Sequence, residues 1–70
     1  MKISARNQLK GTIVDIQEGV VNGIVKLDIG GGNVVSATIS MNSIQELQLT
    51  VGKTAYAVIK ATSVMVAIDD

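Results

Sequence analysis

Three consecutive glycines between two strand-like runs constrain the fold of this 70-residue chain more than any other feature. They begin the segment Gly30–Asn33, which can stabilise neither a helix nor a strand and therefore predicts a loop. Ile24–Ile29 before it alternates between apolar and polar residues, and Val34–Ile39 after it is rich in β-branched residues. The centre of the chain is therefore predicted to be a β-hairpin. No helix and no Lys-Ser or Lys-Thr pair follows the glycines, so a phosphate-binding P-loop is not favoured.

Two further strands and one turn flank this hairpin. Leu9–Gln17 alternates loosely and is rich in Ile, Val and Thr, and Thr54–Ile59 has the same character. Between the first two strands, the Asn22-Gly23 pair favours positive φ and predicts a turn within Glu18–Gly23. Beyond an interruption at residues 60–62, Ser63–Ile68 is predicted to form a fifth strand in a hairpin with the fourth.

A short helix is predicted before the fourth strand, because the apolar period changes there. Apolar residues recur every three positions in Met41–Leu47, with good helix formers between them. Ser43 with Glu46 fits a capping box, and Ser40 is an alternative N-cap one turn earlier. Gly52 is expected to turn the chain towards the fourth strand.

The predicted element order is β-β-β-α-β-β, which is typical of a five-stranded OB-type barrel, an all-β fold with one short helix. We expect residues 1–70 to form a single domain. Almost half of the residues are apolar, yet the chain has no cysteine and Tyr56 is its one aromatic residue. A monomer of this size without disulfides would be marginally stable, so we expect a homo-oligomer whose interfaces complete the core.

The composition argues against several classes of function. Histidine and cysteine are absent, which removes the commonest metal ligands and the commonest acid–base catalyst, and the acidic residues are scattered, so we do not expect an enzyme. Zero net charge and a single aromatic residue disfavour nucleic-acid binding, although an OB module of that kind stays open as a lesser alternative. No apolar run approaches the length of a membrane span or a signal core, so we expect a cytoplasmic protein.

Anion binding fits the remaining polar residues better. Arg6 is the only arginine, and in an extended segment Ser4 would project from the same face. Ser40 and Ser43 lie where the helix begins, and backbone N–H groups are unpaired at such an end. Lys60 ends an apolar strand. Each group also has a structural alternative: a surface ion pair for Arg6, helix capping for the serines, and protection of a strand edge for the lysine.

Taken in order, several motifs resemble the molbindin family, also called molybdopterin-binding or Mop domains. They are Ser4-Ala5-Arg6-Asn7-Gln8-Leu9, Gly11-Thr12-Ile13, Ala37-Thr38-Ile39-Ser40 with Ser43, Leu47 and Leu49 before Gly52, and Ala57-Val58-Ile59-Lys60-Ala61-Thr62 before Val64-Met65. The resemblance covers essentially the whole chain. It implies an OB-type barrel, a hexamer built as a trimer of dimers, and molybdate or tungstate bound between subunits, with no organic cofactor.

The resemblance also implies the residues of the site. Ser4 and Arg6 match the donors of one subunit, while Ser40, Ser43, Lys60 and the Ala61 backbone N–H match those of its neighbour. Two cations balance a tetrahedral dianion, and hydroxyl and amide groups satisfy its other oxygens. The turn Glu18–Gly23 is a candidate for a second anion pocket. Storage or buffering of the oxyanion is expected, and a molybdate-sensing adaptor that signals to a protein partner is the alternative.

Overall fold

A computed structural model describes all residues 1–70 as four antiparallel strands and one short helix. In chain order the elements are β1 (Asn7–Gln17), β2 (Asn22–Gly30), β3 (Asn33–Ser40), α1 (Met41–Glu46) and β4 (Thr54–Ile59). The strands form one sheet in the order β3-β2-β1-β4, which curls into a half-barrel with β3 and β4 at its free edges. The predicted all-β class with one short helix is confirmed. No helix is long and apolar enough to cross a membrane.

β1 is the central strand because it changes partner along its length. Its first half pairs with β4, from the rung Asn7–Ile59 to the rung Thr12–Thr54. Its second half pairs with β2 up to the rung Gln17–Ile24, and the register shifts between Ile13 and Asp15. Such a bulge bends a strand and increases its twist. The bend allows one 11-residue strand to join both halves of the curled sheet.

The core of the chain is small. Ile13, Val25, Leu27 and Ile44 form one buried cluster on the concave face of the sheet, and α1 contributes the last of these. Only six of the 70 residues are buried, and Ile13 is the one large side chain with 0% exposure. Much of the aliphatic surface therefore remains in contact with solvent in a single chain.

The predicted turn between β1 and β2 is present at residues 18–21, but Asn22 and Gly23 are not part of it, because β2 begins at Asn22 and Gly23 is a buried strand residue. The glycine is needed for close packing instead. A Cβ atom at this position would lie 2.6 Å from Cδ1 of Ile44 and 2.9 Å from Sδ of Met41, both on α1. The predicted loop at Gly30–Asn33 is confirmed, and its three glycines adopt positive φ.

Gly23→Ala is therefore expected to lower the free energy of unfolding by about 1–3 kcal/mol, because the added methyl group overpacks the contact with α1. Urea denaturation at fixed protein concentration measures the change. The same substitution should cost less in an Ile44→Val background, which removes Cδ1. An equal cost in both backgrounds would show that this contact does not select glycine.

The predicted fifth strand is absent from the structure. After β4, a 3-10 turn at Ala61–Ser63 is closed by a 2.8 Å hydrogen bond from the Ser63 N–H to the Lys60 carbonyl. The chain then continues through residues 64–70 without regular structure. Met65, Val66 and Ile68 are each at least 90% exposed. The segment forms no hairpin with β4, so the barrel of a single chain stays open between β3 and β4.

Candidate oxyanion-binding site

Two of the predicted site residues lie together where the β1–β4 ladder ends. Its last rung is Asn7–Ile59; Arg6 directly precedes β1 and Lys60 directly follows β4. The two cations therefore lie just beyond the same end of the ladder. The Asn7 side chain donates a 3.2 Å hydrogen bond from Nδ2 to the Ile59 carbonyl and ties the strand ends together.

Sequence reasoning gave Asn7 no role, although the residue directly follows Arg6. An asparagine next to an arginine in the sequence does not by itself indicate a binding site, because asparagine is common at strand ends and turns. Only the register shows that its amide reaches across to the strand that carries Lys60. Asn7 therefore links the two strand ends from which Arg6 and Lys60 extend.

The charges of Arg6 and Lys60 have no counter-charge in the chain. Both side chains are exposed, and neither has a carboxylate within 4.0 Å. The rungs from Asn7 to Thr12 and from Thr54 to Ile59 contain no acidic residue. The alternative in which Arg6 belongs to a surface ion pair is therefore not supported. Two neighbouring positive charges repel each other, and an anion between them removes that repulsion.

Ser4 is not aligned with Arg6 in the way that the sequence predicted. β1 begins only at Asn7, and the backbone bends at both Ser4 and Arg6. The Gln8 side chain donates a 2.8 Å hydrogen bond from Nε2 to the Ala5 carbonyl, which folds the segment back on the start of the strand. Ser4 and Arg6 therefore do not lie on one face of an extended strand. Ser4 is exposed, and its role as a donor stays a prediction.

The two serines of the helix start form a second pair. Ser40 is the N-cap of α1, because its Oγ accepts a 3.0 Å hydrogen bond from the Ser43 N–H. The Ser40 hydroxyl donates to Oγ of Ser43 at 2.8 Å. The predicted capping box of Ser43 with Glu46 was wrong, since Glu46 is the last residue of the helix. Because Ser40 Oγ also holds the helix cap while Ser43 Oγ has no backbone partner, Ser43 is the hydroxyl more available to a ligand.

The Ala61 backbone N–H lies next to Lys60. Lys60 is extended, with φ −61° and ψ 133°, and Ala61 is the first residue of the 3-10 turn. The first N–H groups of a helical turn have no acceptor within it. The Ala61 N–H is therefore a candidate backbone donor beside a cation, and its contact with a ligand stays a prediction.

The two pairs lie at opposite ends of β1. Arg6 and Lys60 follow the rung of Asn7, whereas Ser40 pairs with Asn22 beyond the rung of Gln17. Ten residues of extended strand span about 33 Å, although the curl of the sheet shortens this. The resemblance groups Lys60 with Ser40 and Ser43 on one subunit, whereas within one chain Lys60 lies at the same end of β1 as Arg6. How the donors are divided between subunits stays a prediction.

The turn after β1 forms a small pocket of about 310 Å³. Its lining residues are Gln17, Glu18, Gly19, Asn22, Gly23, Ile24 and Thr38. The one charged residue among them is an acid, which repels an anion, so this pocket does not favour the predicted second anion site. No group of three or more His, Cys, Asp or Glu residues could hold a metal cation.

The curled sheet with one short helix defines a small OB-type domain, and its exposed cations and helix-start hydroxyls make oxyanion binding its candidate activity. The TOBE domain matches residues 3–66. The chain belongs to the TOBE domain family, within its group of small Mop proteins, or molbindins. The family expected from the sequence motifs is confirmed.

The chain is similar over nearly its full length to known Mop proteins. It is 65% identical to a probable molybdenum-pterin-binding protein of Haemophilus influenzae, over 99% of this chain and 100% of that protein. A molybdate-binding protein from Sporomusa ovata has the same fold, with a TM-score of 0.90, 35% identity, and coverage of 97% of this chain and 100% of that chain. This likeness confirms the OB-type fold.

A third comparison includes bound ligand. The cytoplasmic molybdate-binding protein ModG, in a form with molybdate bound, matches with a TM-score of 0.82 and 48% identity. The match covers 87% of this chain and 43% of the ModG chain. Two of these relatives are thus named as molybdate-binding proteins, and one of them holds the oxyanion itself.

Proposed function

We propose that this chain binds molybdate or tungstate between copies of itself and stores or buffers the oxyanion in the cytoplasm, without catalysing a reaction. Residues 1–70 act as one domain in this proposal. The observation that carries it is the pair Arg6 and Lys60, two neighbouring cations with no carboxylate partner. The molybdate-binding relatives support the choice of ligand.

The donor set fits the chemistry of a tetrahedral dianion. Arg6 and Lys60 supply two positive charges, which balance the ligand and avoid the cost of an unpaired charge in a closed site. The metal arrives already surrounded by oxygen, so it needs hydrogen-bond donors and not His or Cys ligands. Ser43 and the Ala61 N–H supply further donors, and Ser4 and Ser40 complete the predicted set.

A second copy is needed because the two donor pairs lie at opposite ends of β1. In the proposed site, the Arg6–Lys60 pair of one copy meets the Ser40–Ser43 pair of another. Such sites repeat in a closed symmetric oligomer, and the hexamer implied by the family resemblance is the state we expect. Ligand that binds only the assembled state stabilises the assembly.

Native mass spectrometry with and without molybdate tests this proposal, because it reports subunit number and ligand load together. We expect a homo-oligomer that gains molybdate in a fixed ratio to its subunits. Sulfate at the same concentration is the control for non-specific anion attachment. A monomer that binds molybdate with full affinity would contradict an intersubunit site.

The two serines are expected to separate binding from stability. Ser43→Ala keeps the backbone N–H that donates to the Ser40 cap but loses the hydroxyl, so it should weaken molybdate binding about tenfold with little change in stability. Ser40→Ala removes the cap and should lower the free energy of unfolding by about 1 kcal/mol. Calorimetry and urea denaturation measure the two effects.

Ser36→Ala is the matched control, because Ser36 is an exposed serine on β3 outside both donor pairs. It should change neither quantity. If Ser43→Ala bound molybdate as tightly as this control, Ser43 would not be a ligand donor.

A further inference from the structure

The Gln8 side chain holds the peptide group that carries Arg6. Its Nε2 donates a 2.8 Å hydrogen bond to the Ala5 carbonyl, and that carbonyl belongs to the peptide group that joins Ala5 to Arg6. The six atoms of a peptide group lie close to one plane, so a hydrogen bond that fixes the carbonyl oxygen also restrains the Cα atom of the next residue. Gln8 therefore restrains the point from which the Arg6 side chain extends.

This hydrogen bond is the one that ties residues 1–6 to the sheet. β1 begins only at Asn7, and none of the backbone hydrogen bonds in loops, turns and caps involves a residue before it. No other side-chain hydrogen bond reaches these residues. Without the Gln8 amide, the segment that carries Ser4 and Arg6 would be held to the sheet by no hydrogen bond.

The Asn7 side chain makes the corresponding bond to the strand that leads to Lys60. Its Nδ2 donates at 3.2 Å to the Ile59 carbonyl, which belongs to the peptide group that joins Ile59 to Lys60. Asn7 is half-buried, and a hydrogen bond is electrostatically stronger away from water. Two adjacent amides of β1 therefore restrain the peptide groups directly before two cations that lie 54 positions apart in the sequence.

We propose that Asn7 and Gln8 pre-organise the oxyanion site by holding the backbone of Lys60 and Arg6 in place before the ligand arrives. This inference rests on the proposed function and adds two residues to it. A ligand that meets donors already held in place binds more tightly, because less free energy is lost in ordering the chain. Neither amide needs to contact the anion, so both are positioning residues.

Gln8→Met and Asn7→Leu test the proposal, because each keeps a side chain of similar size and removes the donor. Each should weaken molybdate binding about three- to tenfold in calorimetry, the value of one hydrogen bond. Asn33→Leu is the matched control: its amide also donates to a backbone carbonyl, that of Gly30 at 3.3 Å, but it lies in the loop between β2 and β3, outside both donor pairs. The control should bind molybdate as the unaltered protein does.

Double variants show whether each amide acts through its own cation. In an Arg6→Ala background, Gln8→Met should lose most of its effect on affinity, whereas in a Lys60→Ala background it should keep that effect. Asn7→Leu should show the opposite pattern. A residue that only supported the fold would cost the same affinity in both backgrounds, and that additive result would overturn the proposal.

NMR relaxation of the side-chain amide groups, measured on the unaltered protein without molybdate, does not depend on how the variants fold. The amide groups of Asn7 and Gln8 should be rigid before any ligand is added. Gln45 is the mobile reference, since it is an exposed glutamine of α1 whose side chain makes no hydrogen bond. Equal mobility of Gln8 and Gln45 would contradict a site that is ordered in advance.

The single variants separate this inference from the proposed function. If Arg6→Ala and Lys60→Ala weakened molybdate binding while Gln8→Met and Asn7→Leu did not, the positioning role alone would be overturned. If Arg6→Ala and Lys60→Ala bound molybdate as tightly as the unaltered protein, the proposed site would be wrong, and the positioning role with it.

Discussion

Arg6→Ala is expected to weaken molybdate binding about 100-fold in isothermal titration calorimetry, because a charge-assisted hydrogen bond to a closed site is worth about 2–5 kcal/mol when one partner is removed. Arg6 also balances half of the ligand charge in the proposed site. The fold should not change, since the side chain is exposed and lies outside β1. Circular dichroism is expected to match that of the unaltered protein.

Two comparison variants make this result specific. Lys10→Ala removes another exposed cation, one that pairs with Tyr56 further along the same ladder, and should leave affinity nearly unchanged. Arg6→Lys keeps the charge but loses the planar fork of donors, so it should bind with intermediate affinity. Equal affinities for Arg6→Ala and Lys10→Ala would show that Arg6 does not contact the oxyanion.

Ile13→Ala should have the largest effect on stability, with a loss of about 3–4 kcal/mol in the free energy of unfolding. Ile13 has 0% exposure and lies at the centre of the buried cluster that joins the sheet to α1. With only six buried residues, the chain cannot compensate for a cavity at that point. The variant is expected to be largely unfolded at ambient temperature.

Val14→Ala is the matched control, because Val14 is the next residue on β1 but is 45% exposed beside the bulge. It should cost less than about 1 kcal/mol. Urea denaturation must be followed at one protein concentration for all variants, since association adds to the apparent stability. Equal losses for the two variants would contradict the assignment of the core.

Much of the sheet was predictable because its signals are local. The glycines of Gly30–Asn33 adopt positive φ at no steric cost and favour neither helix nor strand, so the hairpin between β2 and β3 followed directly from the sequence. The strands β1 and β4 were recognised from their β-branched residues. The sequence offered two N-caps, Ser40 and Ser43. Which of them caps the helix depends on where β3 ends and α1 begins.

The features that sequence reasoning missed depend on contacts between distant residues. Asn22-Gly23 has the composition of a turn, but Gly23 is needed because α1 packs too close for a Cβ atom. No local sequence pattern reveals that contact. Val64–Ile68 has the composition of a strand, and a strand forms only where a partner edge is available. In a single chain that partner is missing, so the predicted hairpin with β4 does not form.

The residue types of the candidate site came from the sequence, but the arrangement of these residues in the fold did not. The lone arginine, the paired serines and the lysine at a strand end suggested an anion, and the family resemblance suggested which one. Their grouping depends on register: Asn7 pairs with Ile59, and this rung brings Lys60 next to Arg6. If β1 and β4 paired one residue out of register, a different residue would lie opposite the strand end at Arg6. The sequence alone does not fix the register of two strands that are far apart in the chain.

Mixed oligomers test most directly the central claim that each oxyanion is bound by two copies of the chain. Arg6→Ala and Ser43→Ala subunits, each weak in binding, are unfolded together in equal amounts, refolded and titrated with molybdate by calorimetry. If Arg6 and Ser43 of one site come from different copies, random mixing restores about one quarter of the sites to full affinity. If both came from the same copy, no site would regain full affinity, and that result would contradict the shared site.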